Sequence, residues 1–118
     1  MIAITKEFTF DAAHRLGWHK GKCRRLHGHT YKLQVSIKGP LNENGIVMDF
    51  GDFKKFVEKE IINKLDHQYL NEIIENPTAE NIVLWIVSRL SKIPIRGLTL
   101  VKLWETPTSF VEWRPNES

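Results

Sequence analysis

Two segments of this chain alternate between apolar and polar residues with a period of two: Ile2 to His14 and His27 to Lys38. In the first, Ile2, Ile4, Phe8, Phe10 and Ala12 fall on one face and Thr5, Glu7, Thr9 and Asp11 on the other. In the second, His27, His29, Tyr31, Leu33, Val35 and Ile37 oppose Gly28, Thr30, Lys32, Gln34, Ser36 and Lys38. Successive side chains of a strand point to opposite sides, so this pattern reads as two half-buried strands, both longer than average. The piece between them, Arg15 to Leu26, reads as a basic loop. Gly39-Pro40 and Asn44-Gly45 mark the turns that follow.

The period then changes. Phe53, Phe56, Val57, Ile61 and Leu65 form an apolar stripe at helical spacing, which predicts a helix from about Asp49 to Leu65. A second helix is expected to start at Asn76-Pro77-Thr78, with Asn76 as N-cap and Pro77 at the first helical position. Ile82, Trp85, Ile86 and Leu90 form its buried face, and Pro94 and Gly97 end it. Two short strands, around Leu98 to Glu105 and Ser109 to Trp113, close the chain. The order β-β-α-α-β-β predicts an α+β domain, an antiparallel sheet covered on one face by two helices. Apolar residues remain on both faces of the late strands (Val101 and Leu103 against Leu98, Leu100 and Trp104), which points to cover from another copy of the chain.

At 118 residues the expectation is a single domain, residues 1–118. A hydrophobic share of 42% with 26% charged residues excludes a disordered tail or a fibrous repeat. No apolar run approaches the roughly 20 residues of a membrane helix, and no secretory signal is visible. A single cysteine cannot form an internal disulfide, so the reading is cytoplasmic, without membrane partners. The charge is unevenly placed. From Ala12 to Asn42 the chain carries +7 and no acid, and the remainder carries −4. Such a segment is either a solvated basic face or a site for an anionic partner, nucleic acid or a phosphorylated small molecule.

His27-Gly28-His29 is the most informative tripeptide. Residues two apart on a strand point the same way, so both rings can converge on one cation, and His14 ends the preceding strand close by. Three histidines without a Cys or carboxylate partner suit zinc with one position left open, the catalytic pattern. The alternative is a chance pair on a strand face. Both histidines continue an apolar face, however, where a half-buried imidazole needs partners. His19 reads as an exposed histidine without a role.

Cys23 lies in the basic loop beside Arg24 and Arg25, where a thiol near a dication can serve as a thiolate base. It can equally be a buried small hydrophobe or a fourth metal ligand. Asp66 can orient His67 after the first helix, or the pair can be a helix end with a surface histidine. Glu105 is the only acid in its strand and sits at the strand end, where sites are often built. Thr78 and Glu80 fit either a capping network or a ligand.

These residues also form a recognisable set. Phe10-Asp11-Ala12-Ala13-His14, Cys23-Arg24-Arg25-Leu26-His27-Gly28-His29 and Leu65-Asp66-His67-Gln68-Tyr69-Leu70-Asn71, then Asn76-Pro77-Thr78-Ala79-Glu80-Asn81 and Trp104-Glu105-Thr106, resemble the 6-pyruvoyltetrahydropterin synthase family. The resemblance runs from about Phe8 to Glu105 with the motifs in family order. It implies the tunnelling fold (T-fold), a four-stranded antiparallel sheet with two helices on one side. Subunits of the family join edge to edge into a barrel, usually a homohexamer built as a dimer of trimers. It further implies Zn2+ on His14, His27 and His29, Cys23 as catalytic base, and His67 with Asp66 as proton relay. Glu105 would hold the pterin ring, with Thr78 and Glu80 near a pterin pocket shared between subunits.

The three residues between Cys23 and His27 resemble the 6-carboxy-5,6,7,8-tetrahydropterin synthase branch. That branch converts 7,8-dihydroneopterin triphosphate to 6-carboxytetrahydropterin, acetaldehyde and triphosphate on the route to queuosine. Ala79 departs from the hydroxyl residue that many relatives carry. The neighbouring alternative is the pyruvoyl-forming synthase. From another class comes a basic, zinc-stabilised nucleic-acid-binding module. It would need aromatic residues for stacking, and the basic segment offers only Trp18 and Tyr31.

Overall fold

A computed structural model of the chain describes residues 1–116, so positions 117 and 118 of the expected domain lie outside the described residues. β1 (Ile2–His14) and β2 (His27–Gly39) pair antiparallel along their whole length, from Ile2 opposite Gly39 to His14 opposite His27. The polarity pattern dictates this register, because a slip of one residue sends one strand's apolar set to the wrong face. Each large apolar side chain kept buried stabilises the fold by about 1.5–3 kcal/mol, so such a slip is heavily disfavoured. Phe10 lands opposite Tyr31, and their rings stack 5.0 Å apart.

α1 (Phe50–Val57) is capped by Asp49, whose carboxylate accepts from the Asp52 N–H. It continues through a π-helical turn (Glu58–Ile62) into a last turn, Asn63–Leu65. The buried residues Phe53, Val57, Ile61 and Leu65 are each four apart. At 3.6 residues per turn such a stripe drifts around an α-helix, and the wider π turn brings it back toward the sheet. Two further strands and a helix follow. β3 (Gln68–Tyr69) is short, α2 (Ala79–Leu90) buries Ile82, Val83, Ile86 and Leu90, and β4 (Leu98–Thr106) buries Val101 and Leu103. β5 (Ser109–Trp113) closes the sheet, whose order is β3-β1-β2-β4-β5. Among the described residues no helix is long and apolar enough to cross a membrane.

Three expectations change. The four antiparallel strands are joined by a fifth, β3, parallel to β1 at Ala12 and Ala13. Two residues carry no readable period, which is why the pattern does not announce it. α2 begins two residues later than expected. Thr78 is the N-cap, accepting from the Asn81 N–H at 3.1 Å, while the Asn76 carbonyl accepts from the Thr78 N–H and the Asn81 side chain. Trp85 is only half-buried, with the Arg89 guanidinium 5.1 Å above its ring. On the outer face of the sheet, the Lys32 and Lys102 ammonium groups lie 4.7 and 4.5 Å from the Trp104 ring centroid, so the chain itself covers part of that apolar surface.

One glycine is required where β2 and β4 fall out of register. Gly97 has φ +78°, its carbonyl accepts from the Lys38 N–H at 2.8 Å, and a Cβ there would collide with the Lys38 carbonyl. Gly97→Ala is therefore expected to destabilise the fold by at least about 1–3 kcal/mol, from the backbone conformation alone. A urea midpoint unchanged from the parent would refute this.

Candidate functional site

Parity along β1 and β2 puts His14, His27 and His29 on the helix-covered face, at the end of the sheet where His14 faces His27 and Ala12 faces His29. The three rings lie 4.6 to 5.1 Å apart, centroid to centroid. Their outer partners fix the tautomers. The His14 Nδ1–H donates to the Pro77 carbonyl at 2.8 Å, and the His27 Nδ1–H donates to the Arg25 carbonyl at 2.8 Å. A carbonyl can only accept, so each of these rings, when neutral, leaves a bare lone pair on Nε2. Those two Nε2 atoms are 3.0 Å apart. Two lone pairs that close repel unless a proton or cation lies between them.

His29 completes the set. Its Nε2 is buried without a hydrogen-bond partner. Burial holds its ring below the usual histidine range; Glu105 works the other way, and the other two histidines add to the lowering. A neutral imidazole is the form that ligates. The donor atoms of all three lie within 4.8 Å of one another, which fits a three-histidine zinc site with an open position. Carbonyl partners on the far ring nitrogens are the usual support of such ligands. Beneath them Tyr31 is fully buried, and burial together with the Glu105 charge keeps its phenol protonated well above the usual range.

Cys23 stands in a short 3-10 turn, Lys22–Arg24, and is half-buried. It does not join the histidine donor cluster. It lines a cavity of about 320 Å³ together with Trp18, Thr78, Glu80, Glu105 and Phe110. Glu105 connects this cavity to the histidines, its Oε1 lying 3.8 Å from His29 Nε2. The sequence-predicted residues Cys23, Thr78, Glu80 and Glu105 are thus brought together around one hollow.

Asp66 and His67 are placed elsewhere. They pair tightly, Asp66 Oδ2 to His67 Nδ1 at 3.0 Å. The Asp11 N–H donates to Asp66 Oδ1 at 2.9 Å, and the His67 N–H donates to the Asp11 carbonyl at 2.6 Å. The Asp11 N–H, then the His67 ring, hold the Asp66 carboxyl below the usual carboxylate range. This clamp keeps His67 at φ 59°, an uncommon conformation for a residue other than glycine. With Nδ1 tied to Asp66, Nε2 faces outward; the His67 side chain is 77% exposed. The ring opens into a separate hollow of about 550 Å³ shared with Asp11, Gly28, His29, Thr30 and Tyr69. Within one chain, Cys23 and the Asp66–His67 pair do not line the same cavity. Asp11, Asp66 and His67 donor atoms are also close enough for an ion, but each already has a partner: the Asp11 carboxylate accepts from the Thr30 hydroxyl, and Asp66 pairs with His67.

The profile of the 6-pyruvoyl tetrahydropterin synthase family matches residues 3–116. The chain belongs to that family. The 6-carboxy-5,6,7,8-tetrahydropterin synthase of Haemophilus influenzae is 40% identical to it, over 97% of this chain and 99% of the relative. The dihydroneopterin monophosphate aldolase of Pyrococcus furiosus is 45% identical, over 82% of this chain and 83% of the relative. The structure of the Caenorhabditis elegans 6-pyruvoyl tetrahydropterin synthase superposes with a TM-score of 0.86 at 25% identity, covering 98% of this chain and 96% of the other. The α+β T-fold read from the sequence is the fold of this family member.

Two expectations about side chains of this synthase-family chain change. His19, expected to be exposed, is half-buried; its Nδ1 accepts from the Gly21 N–H at 2.9 Å and its ring borders the Cys23 cavity. Tyr31 is wholly buried and unavailable for base stacking, which removes one of the two aromatic residues a nucleic-acid surface would have used. The sequence reading also missed the groups that hold the site in place. The Pro77 and Arg25 carbonyls are backbone atoms and leave no trace in residue identity. Asp11 and Asn71 both lie in the family-like motifs, yet only the fold shows what they touch.

Proposed function

We propose that this chain is a zinc-dependent 6-carboxy-5,6,7,8-tetrahydropterin synthase, a carbon–carbon lyase. It would convert 7,8-dihydroneopterin triphosphate to 6-carboxytetrahydropterin, acetaldehyde and triphosphate, in the cytoplasm, on the route to queuosine. The observation that carries this reading is the set of three convergent imidazoles beside a cavity that holds the chain's sole cysteine. The name of the Haemophilus influenzae relative supports the branch.

In this reading His14, His27 and His29 hold the metal. Zinc bound there supplies Lewis-acid polarisation of the substrate side-chain oxygens. Cys23, as thiolate, removes a proton from the substrate side chain. Glu105 accepts N–H groups from the pyrimidine edge of the pterin, since a carboxylate offers two oxygens side by side. Thr78 and Glu80 line the same cavity, whose size lies at the lower end for a small-molecule pocket. His67, held in one tautomer by Asp66, moves the second proton through its outward Nε2. Because His67 opens into a different hollow from Cys23, the pair would serve the cavity of a neighbouring copy in a homohexameric barrel. The basic loop attracts the triphosphate.

The test is product analysis. Purified zinc-loaded protein is incubated with 7,8-dihydroneopterin triphosphate, and the expected result is a carboxypterin with one acetaldehyde per turnover. A pyruvoyl pterin without acetaldehyde would move the chain to the pyruvoyl-forming branch. Preference for dihydroneopterin monophosphate would favour the activity named for the Pyrococcus furiosus relative.

A further inference from the structure

We propose that Asn71 is a positioning residue that fixes the Cys23 loop to the strand carrying His14 and to the segment carrying Asp66 and His67. This rests on the reading of Cys23 as the base.

Asn71 sits in the 3-10 turn Leu70–Glu72, just after β3. Its side-chain amide grips the backbone of Arg15 at two points. The Arg15 N–H donates to Asn71 Oδ1 at 3.0 Å, and Asn71 Nδ2 donates to the Arg15 carbonyl at 2.8 Å. An amide side chain here does what a neighbouring strand would do, extending the β3–β1 pairing past its last ladder partner, Ala13 with Tyr69. Arg15 is where the strand ends and the loop begins. His14 precedes it directly, and the Leu16 N–H donates to the Cys23 carbonyl at 2.8 Å while the Leu16 side chain is buried. Movement at Arg15 is therefore passed to the cysteine loop, while His14 stays held by its ladder pairing with His27 and by the Pro77 carbonyl.

The other end of the same segment is fixed as well, through the Asp11 bonds to Asp66 and His67. Residues 66–71 are thus stapled along residues 11–15 at both ends, and Asn71 is the staple nearest Cys23. Asn71 does not line the Cys23 cavity, so its effect is on placement and not on contact with substrate.

The experiment compares Asn71→Ala and Asn71→Asp with the parent, each as the full zinc-loaded chain. Four quantities are read: kcat, KM, zinc per chain, and the rate at which iodoacetamide alkylates Cys23 without substrate. With a single cysteine in the sequence, that rate reports one position. Asn71→Ala is expected to lower kcat about 10- to 100-fold, the scale of a small misplacement of a reacting group. KM and zinc content should hold, and alkylation should become several times faster as the loop opens. Asn71→Asp keeps the acceptor for the Arg15 N–H but sets a carboxylate oxygen against the Arg15 carbonyl, and two acceptors repel, so it should be at least as impaired as Ala on both readouts. If either variant unfolds, the other decides alone.

Unchanged kcat and alkylation overturn the proposal, as does a fall in kcat that tracks loss of zinc. If the parent fails to turn over the pterin triphosphate, the proposed function falls. The alkylation rates, measured without substrate, then still decide whether Asn71 places the Cys23 loop.

Discussion

His27→Ala is expected to abolish zinc binding and turnover together. His27 is half-buried and its Nδ1–H is already committed to the Arg25 carbonyl, so its only remaining function at the ring is the Nε2 lone pair facing His14. Removing it leaves two imidazole donors where three converged. Changes to supporting groups alone commonly cost metal sites 10–100-fold in affinity, so losing a ligand itself should cost more than about 100-fold. Stabilisation of a developing charge by a bound metal amounts to several kcal/mol, which at about 1.4 kcal/mol per factor of ten is at least about a thousandfold in rate. The fold should survive, because the change relieves the repulsion between the two lone pairs and His27 is no part of the apolar core. Metal analysis of the purified variant checks this directly. A preparation of His27→Ala that still carries one zinc per chain would show that the three imidazoles are not the metal site.

Much of this architecture is legible in the amino-acid sequence, for specific reasons. Alternation over Ile2 to His14 runs through so many residues that both ends of β1 fall where the pattern stops. The same parity that buries Phe10 and Tyr31 turns His14, His27 and His29 to one side, so the histidine cluster is a consequence of strand periodicity. The start of α2 misleads because Asn76 and Pro77 have the chemistry of a cap. Asn76 is instead occupied with Trp18, whose indole N–H donates to its side-chain oxygen at 2.8 Å, and the cap passes to Thr78. The separation of Cys23 from Asp66 and His67 cannot be read at all. It depends on which hollow each residue opens into, and that follows from the packing of the loop and of β3, not from spacing along the chain. The supporting carbonyls of Pro77 and Arg25 escape for a related reason, since every residue has one.

Cys23→Ala gives the sharpest division between the catalytic and the structural readings of the site. Cys23 stands outside the histidine donor cluster but lines the cavity that also holds Thr78, Glu80 and Glu105. If the sulfur is the base, its removal should leave one zinc per chain and a normal melting temperature. Turnover should drop about 100- to 10,000-fold, the usual contribution of a positioned proton acceptor. Cys23→Ser keeps the size and polarity of the side chain but replaces the thiol with a hydroxyl that scarcely ionises near neutral pH, so it should be nearly as inactive. A purely steric role would predict the opposite, with serine restoring most of the rate. Were Cys23 a fourth ligand, Cys23→Ala would lose zinc in step with activity, because closed four-ligand sites hold metal for folding and three-ligand sites leave a position for substrate. Zinc content and rate measured on the same preparations separate these outcomes. Stoichiometric zinc with a lost rate in both variants is the result the proposed function requires.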